Sequence, residues 1–214
     1  VATATKANGK GTSFTYSWGV VEDTSTPGVV VDRTINPDGT IASETIAGRS
    51  TTYEYDDPLG RLTRTQPPGP TNATTTTYDD ANRTIAVRRG NSSLTTNTDG
   101  FGRPVETVNG VGVRTRTAYD AEGRTAYQSY PFTDTDVGTA FSHDSLGRVI
   151  EERNSGDQTT RSRTYDDATN SVTVRDETNH ATVLTYRGFG HPDDARLVRV
   201  VDANQQEWTY SYDA

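Results

Sequence analysis

Three histidines, a set of aspartate pairs and eleven tyrosines are the side chains here with the most capacity for chemistry. His180 and His191 sit in Asn/Asp-rich stretches, with no cysteine anywhere and no histidine four residues away, so no zinc-type ligand set forms around them. His143 occupies a position that neighbouring copies of the same phrase give to tyrosine, and reads as a packing or hydrogen-bonding residue of a sheet. The pairs Asp56/Asp57, Asp79/Asp80, Asp166/Asp167 and Asp193/Asp194 offer hard oxygen ligands of the kind Ca²⁺ takes. They also stand where turns begin, and there an aspartate bonds its own backbone, so they read as turn caps. The tyrosines recur at one phase. Such rings can line a sugar-binding face or brace neighbouring strands as a ladder, each cross-strand pair contributing about 0.2–1 kcal/mol; bracing is the reading preferred here. No serine nucleophile elbow, phosphate-binding loop or dinucleotide-binding glycine pattern occurs. No catalytic residue, cofactor or metal is expected.

The elements that would position these groups show themselves as a repeat. Tyr55-Asp56-Asp57-Pro58-Leu59-Gly60-Arg61-Leu62 returns as Tyr119-Asp120-Ala121-Glu122-Gly123-Arg124 and as His143-Asp144-Ser145-Leu146-Gly147-Arg148-Val149. With the residue before the aspartate slot as anchor, the copies begin at Tyr55, Tyr78, Thr98, Tyr119, His143, Tyr165, Tyr186 and Tyr212, in steps of 20 to 26 residues. A longer rhythm of 87 or 88 residues relates Tyr55 to His143, Tyr78-Asp79 to Tyr165-Asp166, and Gly100-Phe101-Gly102-Arg103 to Gly188-Phe189-Gly190-His191. Tyr212-Asp213 opens a further copy. Regular repetition fixes architecture before any local assignment.

Each copy reads as a β-hairpin. Thr, Tyr and alternating apolar residues flank a turn whose first residue is Asp and whose fourth, Gly60, Gly123 or Gly147, takes the left-handed conformation of a G1 bulge. Val172 and Val174 alternate with Ser171 and Thr173, and Trp208, Tyr210 and Tyr212 with Thr209 and Ser211, at the two-residue period of a strand. The expected fold is all-β: an array of antiparallel β-hairpins forming a curled, shell-like repeat sheet. Residues 1–44 read as degenerate hairpins of the same kind, and 45–214 as the array proper, about two blocks of four units of roughly 22 residues.

Composition agrees with a thin, wetted sheet. Hydrophobic residues make up 30% of the chain, and the mean hydropathy is -0.78, which is low for a compact core. The formal net charge of -8 argues against nucleic acid as a partner, since phosphate binding needs a basic stripe. No run of eighteen apolar residues exists, so membrane insertion is not expected of this segment. The absence of Met and the repeat-like ending suggest a stretch of a longer protein.

The Tyr-Asp-x-x-Gly-Arg phrase at a period near 22 resembles the YD repeat of the Rhs (rearrangement hot spot) family over residues 45–214. The resemblance implies a structural role for Tyr55, Asp56, Gly60, Arg61, Tyr78, Asp79, Gly102, Arg103, Tyr119, Asp120, Gly123, Arg124, Asp144, Gly147, Arg148, Tyr165, Asp166, Tyr186, Gly190, Tyr212 and Asp213. It implies large β-shells wound from hairpins, which in bacterial Rhs and insecticidal Tc toxins enclose a C-terminal toxic domain and in teneurins serve adhesion. The departures are Asn82-Arg83 and Thr169-Asn170 in place of Gly-Arg, Thr98 and His143 in place of Tyr, and Arg187 in place of Asp. The family's cleaving element, paired Asp-Pro-x-Gly-Leu, finds only Asp57-Pro58-Leu59-Gly60, where Arg61 replaces Leu; this reads as an ordinary turn.

The function expected is therefore that of a non-enzymatic structural segment of a β-shell that encapsulates a toxin or other cargo chain, secreted or at the cell surface. Its partners would be neighbouring repeats of the same polypeptide and an enclosed cargo domain. The alternative is an extracellular adhesion module that binds glycans or a cell surface through its repeated tyrosines.

Overall fold

The computed structural model describes residues 2–5, 11–188 and 195–213. Every regular element among them is a strand. The chain forms two units, Val1–Gly112 and Val113–Ala214.

The first unit is an antiparallel meander in which each strand pairs with the next in sequence. Its strands are β1 (Ala2–Thr5), β2 (Gly11–Ser17), β3 (Val20–Thr26), β4 (Val29–Ile35), β5 (Ile41–Ile46), β6 (Arg49–Glu54), β7 (Arg64–Gln66), β8 (Thr74–Asp79), β9 (Thr84–Arg89), β10 (Ser92–Thr98) and β11 (Pro104–Asn109). The second unit repeats the scheme with β12 (Arg114–Tyr119), β13 (Thr125–Ser129), β14 (Gly138–His143), β15 (Val149–Asn154), β16 (Thr159–Asp166), β17 (Ser171–Asp176), β18 (Ala181–Arg187), β19 (Arg196–Val201) and β20 (Glu207–Thr209). The hairpin array expected from the repeat is present throughout the described residues.

Register sorts the side chains. Tyr78 lies opposite Ile85 and Thr76 opposite Val87, and Val87 in turn faces Leu94. In the second unit Tyr165 faces Val172, Val172 faces Leu184, Leu184 faces Val200, and Val200 faces Trp208. The intervening positions are Thr164, Thr173 and Val183. Each unit therefore has one face richer in aromatic and aliphatic groups and one richer in Thr, Ser and Arg, as period-2 alternation requires. No second layer covers the richer face: not one described apolar side chain is buried, and the one buried polar residue is Ser129, 5% exposed. Backbone ladders and cross-strand pairs do the work that a core does in a globule.

One place is crowded. Gly138 comes so close to β13 that a Cβ there would overlap the Gln128 carbonyl oxygen, Ser129 Cα and the Tyr127 hydroxyl. The long β13–β14 connection folds back from that point, and its Phe132 exchanges two backbone hydrogen bonds with Arg114 (2.7 and 2.9 Å).

Candidate functional site: a recurring turn and its clasp

The groups singled out by the repeat converge on the turns. At Asp57, Asp99, Asp120 and Asp144 the backbone N–H of the glycine three residues on donates to the aspartate carbonyl, at 2.8 to 3.1 Å. Gly60, Gly102, Gly123 and Gly147 all lie at φ between +69° and +86°, a region that glycine enters without the Cβ penalty. The aspartate carboxylate accepts from the backbone two residues on (Leu59, Phe101, Leu146) and from the backbone N–H of the arginine four residues on. That arginine's Nε then donates to the same carboxylate, at 2.9 Å for Arg61 and 2.7 Å for Arg103, Arg124 and Arg148. Asp-x-x-Gly-Arg is thus a closed unit: Asp starts the turn, Gly permits it, and Arg returns to neutralise the Asp.

The Asp57 carboxyl is held down at about 2, chiefly by its hydrogen bonds from Arg61. At Asp99, Asp120 and Asp144 partial burial works to raise the carboxyl, but hydrogen bonds from the following arginine, backbone and side chain together, outweigh it and leave each below the ordinary aspartate value.

Arg61 and Arg148 also reach forward into the next hairpin. Arg61 lies over the Tyr78 ring, 4.0 Å from its centroid, and its two terminal nitrogens donate to Asp80 at 2.8 Å. Arg148 lies over Tyr165 at 4.1 Å and donates to Asp167 at 2.6 Å. The tyrosine completes the clasp from the other side. Tyr78 Oη donates to the carbonyl of Leu62, the residue after Arg61, and Tyr165 Oη to that of Val149, the residue after Arg148. Tyr55 makes the same bond to Ile41, and Tyr212 to Leu197, with Arg196 over its ring at 5.2 Å. Planar guanidinium, aromatic face and bidentate carboxylate are a well-matched set.

The structure distributes the remaining predicted residues as follows. Asp79 and Asp166 cap their own turns, accepting from Asn82 and from Ala168 and Thr169, while the second aspartate of each pair takes the incoming arginine. In these turns the left-handed residue is Arg83 (φ +55°) or Asn170 (φ +50°), whose carbonyls accept the backbone N–H of Thr98 and Tyr186. Asp56 does not hold its turn; Asp57 does, and the Asp56 backbone N–H donates to Thr63 Oγ1. Tyr119 closes β12 opposite Thr125 beside a register shift. His143 stands in the tyrosine slot with its side chain 8% exposed, Nδ1 3.7 Å from Asp120 Oδ2. His180 is exposed and pairs with Thr178 and Asp176. Asp213 is exposed. Gly190, His191 and the Asp193/Asp194 pair lie outside the described residues. Among the described residues no group of three or more His, Cys, Asp or Glu is placed to hold a metal ion, and no helix is long and apolar enough to cross a membrane.

The residue that sequence reasoning passed over is Asp99. It makes every contact of the motif, in the copy located above at Thr98, where the spacing Asp99-x-x-Gly102-Arg103 is the signal. A second omission is the turn at Asn154, Asp176 and Asp202, which has the same carbonyl and side-chain bonds but places Asp157, Asn179 and Gln205 at the left-handed position (φ +60° to +67°) and has no arginine.

No family model matches the chain, and no curated protein matches it. Solved structures do. The TcdB2-TccC3-Cdc42 crystal structure aligns with a TM-score of 0.50 at 14% identity, over 91% of this chain and 13% of that one. The Photorhabdus luminescens Tc holotoxin pore aligns with a TM-score of 0.47 at 13% identity, over 86% of this chain and 12% of that one. At such identities the likeness is one of fold, and this chain spans about an eighth of the length of each of these two chains.

Proposed function

We propose that this chain is a stretch of wall in a larger YD-repeat shell of a secreted or cell-associated bacterial protein, a shell that encloses a toxin or other cargo polypeptide. It has no catalytic step of its own. One observation carries the reading. Each unit is an uninterrupted hairpin meander with no buried apolar side chain among its described residues, so the sheet is a single layer with two usable faces. A layer of that kind is poorly suited to being a free-standing globule and well suited to separating two spaces. The clasps support the same role. Arg61 and Arg148 tie one hairpin to the next, so the layer is joined at its turns as well as along its ladders. The fold likeness to the TcdB2-TccC3-Cdc42 structure supports it too.

The glycan-binding alternative draws on the repeated tyrosines. Tyr55, Tyr78, Tyr165 and Tyr212 spend their hydroxyls on backbone carbonyls of the preceding hairpin, and the rings of three of them lie beneath arginines, which is the bracing role. The test is protease protection in the full-length polypeptide. A cargo segment inside an intact wall resists limited proteolysis under native conditions and becomes cleavable when the wall is loosened, for instance by Arg61→Ala with Arg148→Ala. Cargo cut equally fast with and without those substitutions would dispose of the containment role.

A further inference from the structure

The two ends of the hairpins in each unit carry different charges. In the first unit, one rim consists of the connections at residues 26–29, 46–49, 66–74, 88–92 and 109–112, which join β3 to β4, β5 to β6, β7 to β8 and β9 to β10 and follow β11. Not one Asp or Glu occurs in these stretches, although the chain as a whole has an excess of them. Instead they present Arg49, Arg88 and Arg89, all exposed and with no carboxylate partner among the described residues. Beside these arginines stand Val29, Val30 and Ile46, with exposures of 49%, 55% and 42%.

The second unit has a rim of the opposite kind, formed by residues 130–137, 154–158, 176–180 and 202–206. It carries Asp134, Asp136, Asp157, Asp176, Glu177 and Asp202 and no Lys or Arg. Asp136 is held by Tyr127 (2.6 Å) and Arg116 (2.9 Å), and Asp157 by Arg153 (3.1 Å). Asp134 and Glu177 are exposed and without a cation partner among the described residues. Exposed Tyr130 and Val137 flank Asp134. Both rims are built on one lattice, since successive hairpins in any such meander recur every two strands, about 10 Å.

We propose that the carboxylate-free rim of the first unit is a docking edge for the carboxylate-rich rim of the second unit of another copy of this chain. Charge complementarity chooses the partner: three arginines without a carboxylate partner meet carboxylates without a cation partner, and each rim adds exposed apolar side chains beside its charges. The common hairpin spacing lets several such pairs form in register. The contact joins a different rim from each of the two copies. It is independent of the containment role, because association between copies requires no cargo.

Sedimentation velocity of the full-length polypeptide over a range of concentrations, in about 0.02 M and about 0.5 M salt, tests it. The expected result is concentration-dependent association in low salt that weakens at least about tenfold in high salt. Arg88→Glu with Arg89→Glu abolishes it, as does Asp134→Arg with Glu177→Arg, while a mixture of the two variants associates again. That mixture guards against a variant that has merely misfolded, since a misfolded partner cannot restore association. A monomer at every concentration in low salt overturns the proposal. So does association that survives either pair of substitutions, or variants that fail to rescue each other.

Discussion

Arg61 and Arg148 belong to the two units, yet they make the same contacts: their own aspartate, the next tyrosine ring and the second aspartate beyond it. Arg124 has the same turn behind it but a different neighbour ahead. With His143 in the tyrosine slot, it reaches the Asp144 carbonyl at 2.9 Å and finds no ring or carboxylate pair of that kind. The hairpins around Arg124 are secured at their other end. There Tyr127 donates to Asp136, Arg116 reaches the same carboxylate, Ser129 Oγ accepts the Arg116 backbone N–H at 2.7 Å, and Gly138 lets the strands close up. Burial, and next to it Asp136, push the Tyr127 phenol up. The lesson is that Asp-x-x-Gly-Arg settles only the turn. Whether the turn is tied to its successor depends on what the next unit offers, and a unit that offers little is held from the opposite rim.

The sharpest way to break this comparison is at Gly138. Gly138→Ala should cost about 3 kcal/mol in urea unfolding, because the methyl group meets immovable backbone. Gly123→Ala, at φ +86°, should cost nearer 1 kcal/mol. Equal costs would mean that the crowded anchor is not special. Next comes the hydroxyl pair. Tyr127→Phe strips a donor from a partly covered carboxylate and should cost about 2 kcal/mol, against about 1 kcal/mol for Tyr78→Phe, which loses a bond to a neutral carbonyl. Smaller and more local is the clasp itself. Arg148→Ala should speed amide exchange at residues 166–171 roughly severalfold while leaving 120–124 unchanged, and Arg124→Ala should do less to the hairpin that follows it. Uniform acceleration across the second unit would show that the clasp does not act locally.

The smallest effect is a titration. Asp57 is depressed in the folded chain, so its contribution is complete above the ordinary aspartate value of 3.8 and disappears as pH falls through about 2. Carboxyl ¹³C shifts should show Asp57 still ionised near pH 3. In Arg61→Gln its midpoint should climb toward 3.8, so that the turn loosens in the window between those two values. An unchanged midpoint would remove Arg61 as the cause.

Much of this was legible in the chain. The glycines at 60, 102, 123 and 147 sit at positive φ because a type I turn with a bulge needs one left-handed residue at that place, and spacing alone locates it. The bracing tyrosines were legible too, since their phase is fixed by the strand period. What could not be read was which atom each group would meet. Nothing near Arg61 in sequence points to Asp80, nineteen residues on, because that contact depends on the pairing register of the intervening strands. The anchor at Tyr127, Asp136 and Gly138 was invisible for a related reason: it lies in a connection outside the repeat, where no periodicity guides the eye. Asp157, Asn179 and Gln205 at left-handed positions concealed three turns that glycine would have announced.

Between Tyr55 and the aspartate that governs its turn stands one residue more than at Tyr119-Asp120 or His143-Asp144. Tyr55 still finds Ile41, and Arg61 still finds Tyr78. Alignment is therefore renewed at every hairpin by reference to its predecessor, instead of being inherited from a count begun at the start of the chain. An insertion or deletion at a bend is forgotten one hairpin later. Units of 20 and of 26 residues can follow one another without the error accumulating, which frees such an array to grow long while its individual copies drift in length and sequence.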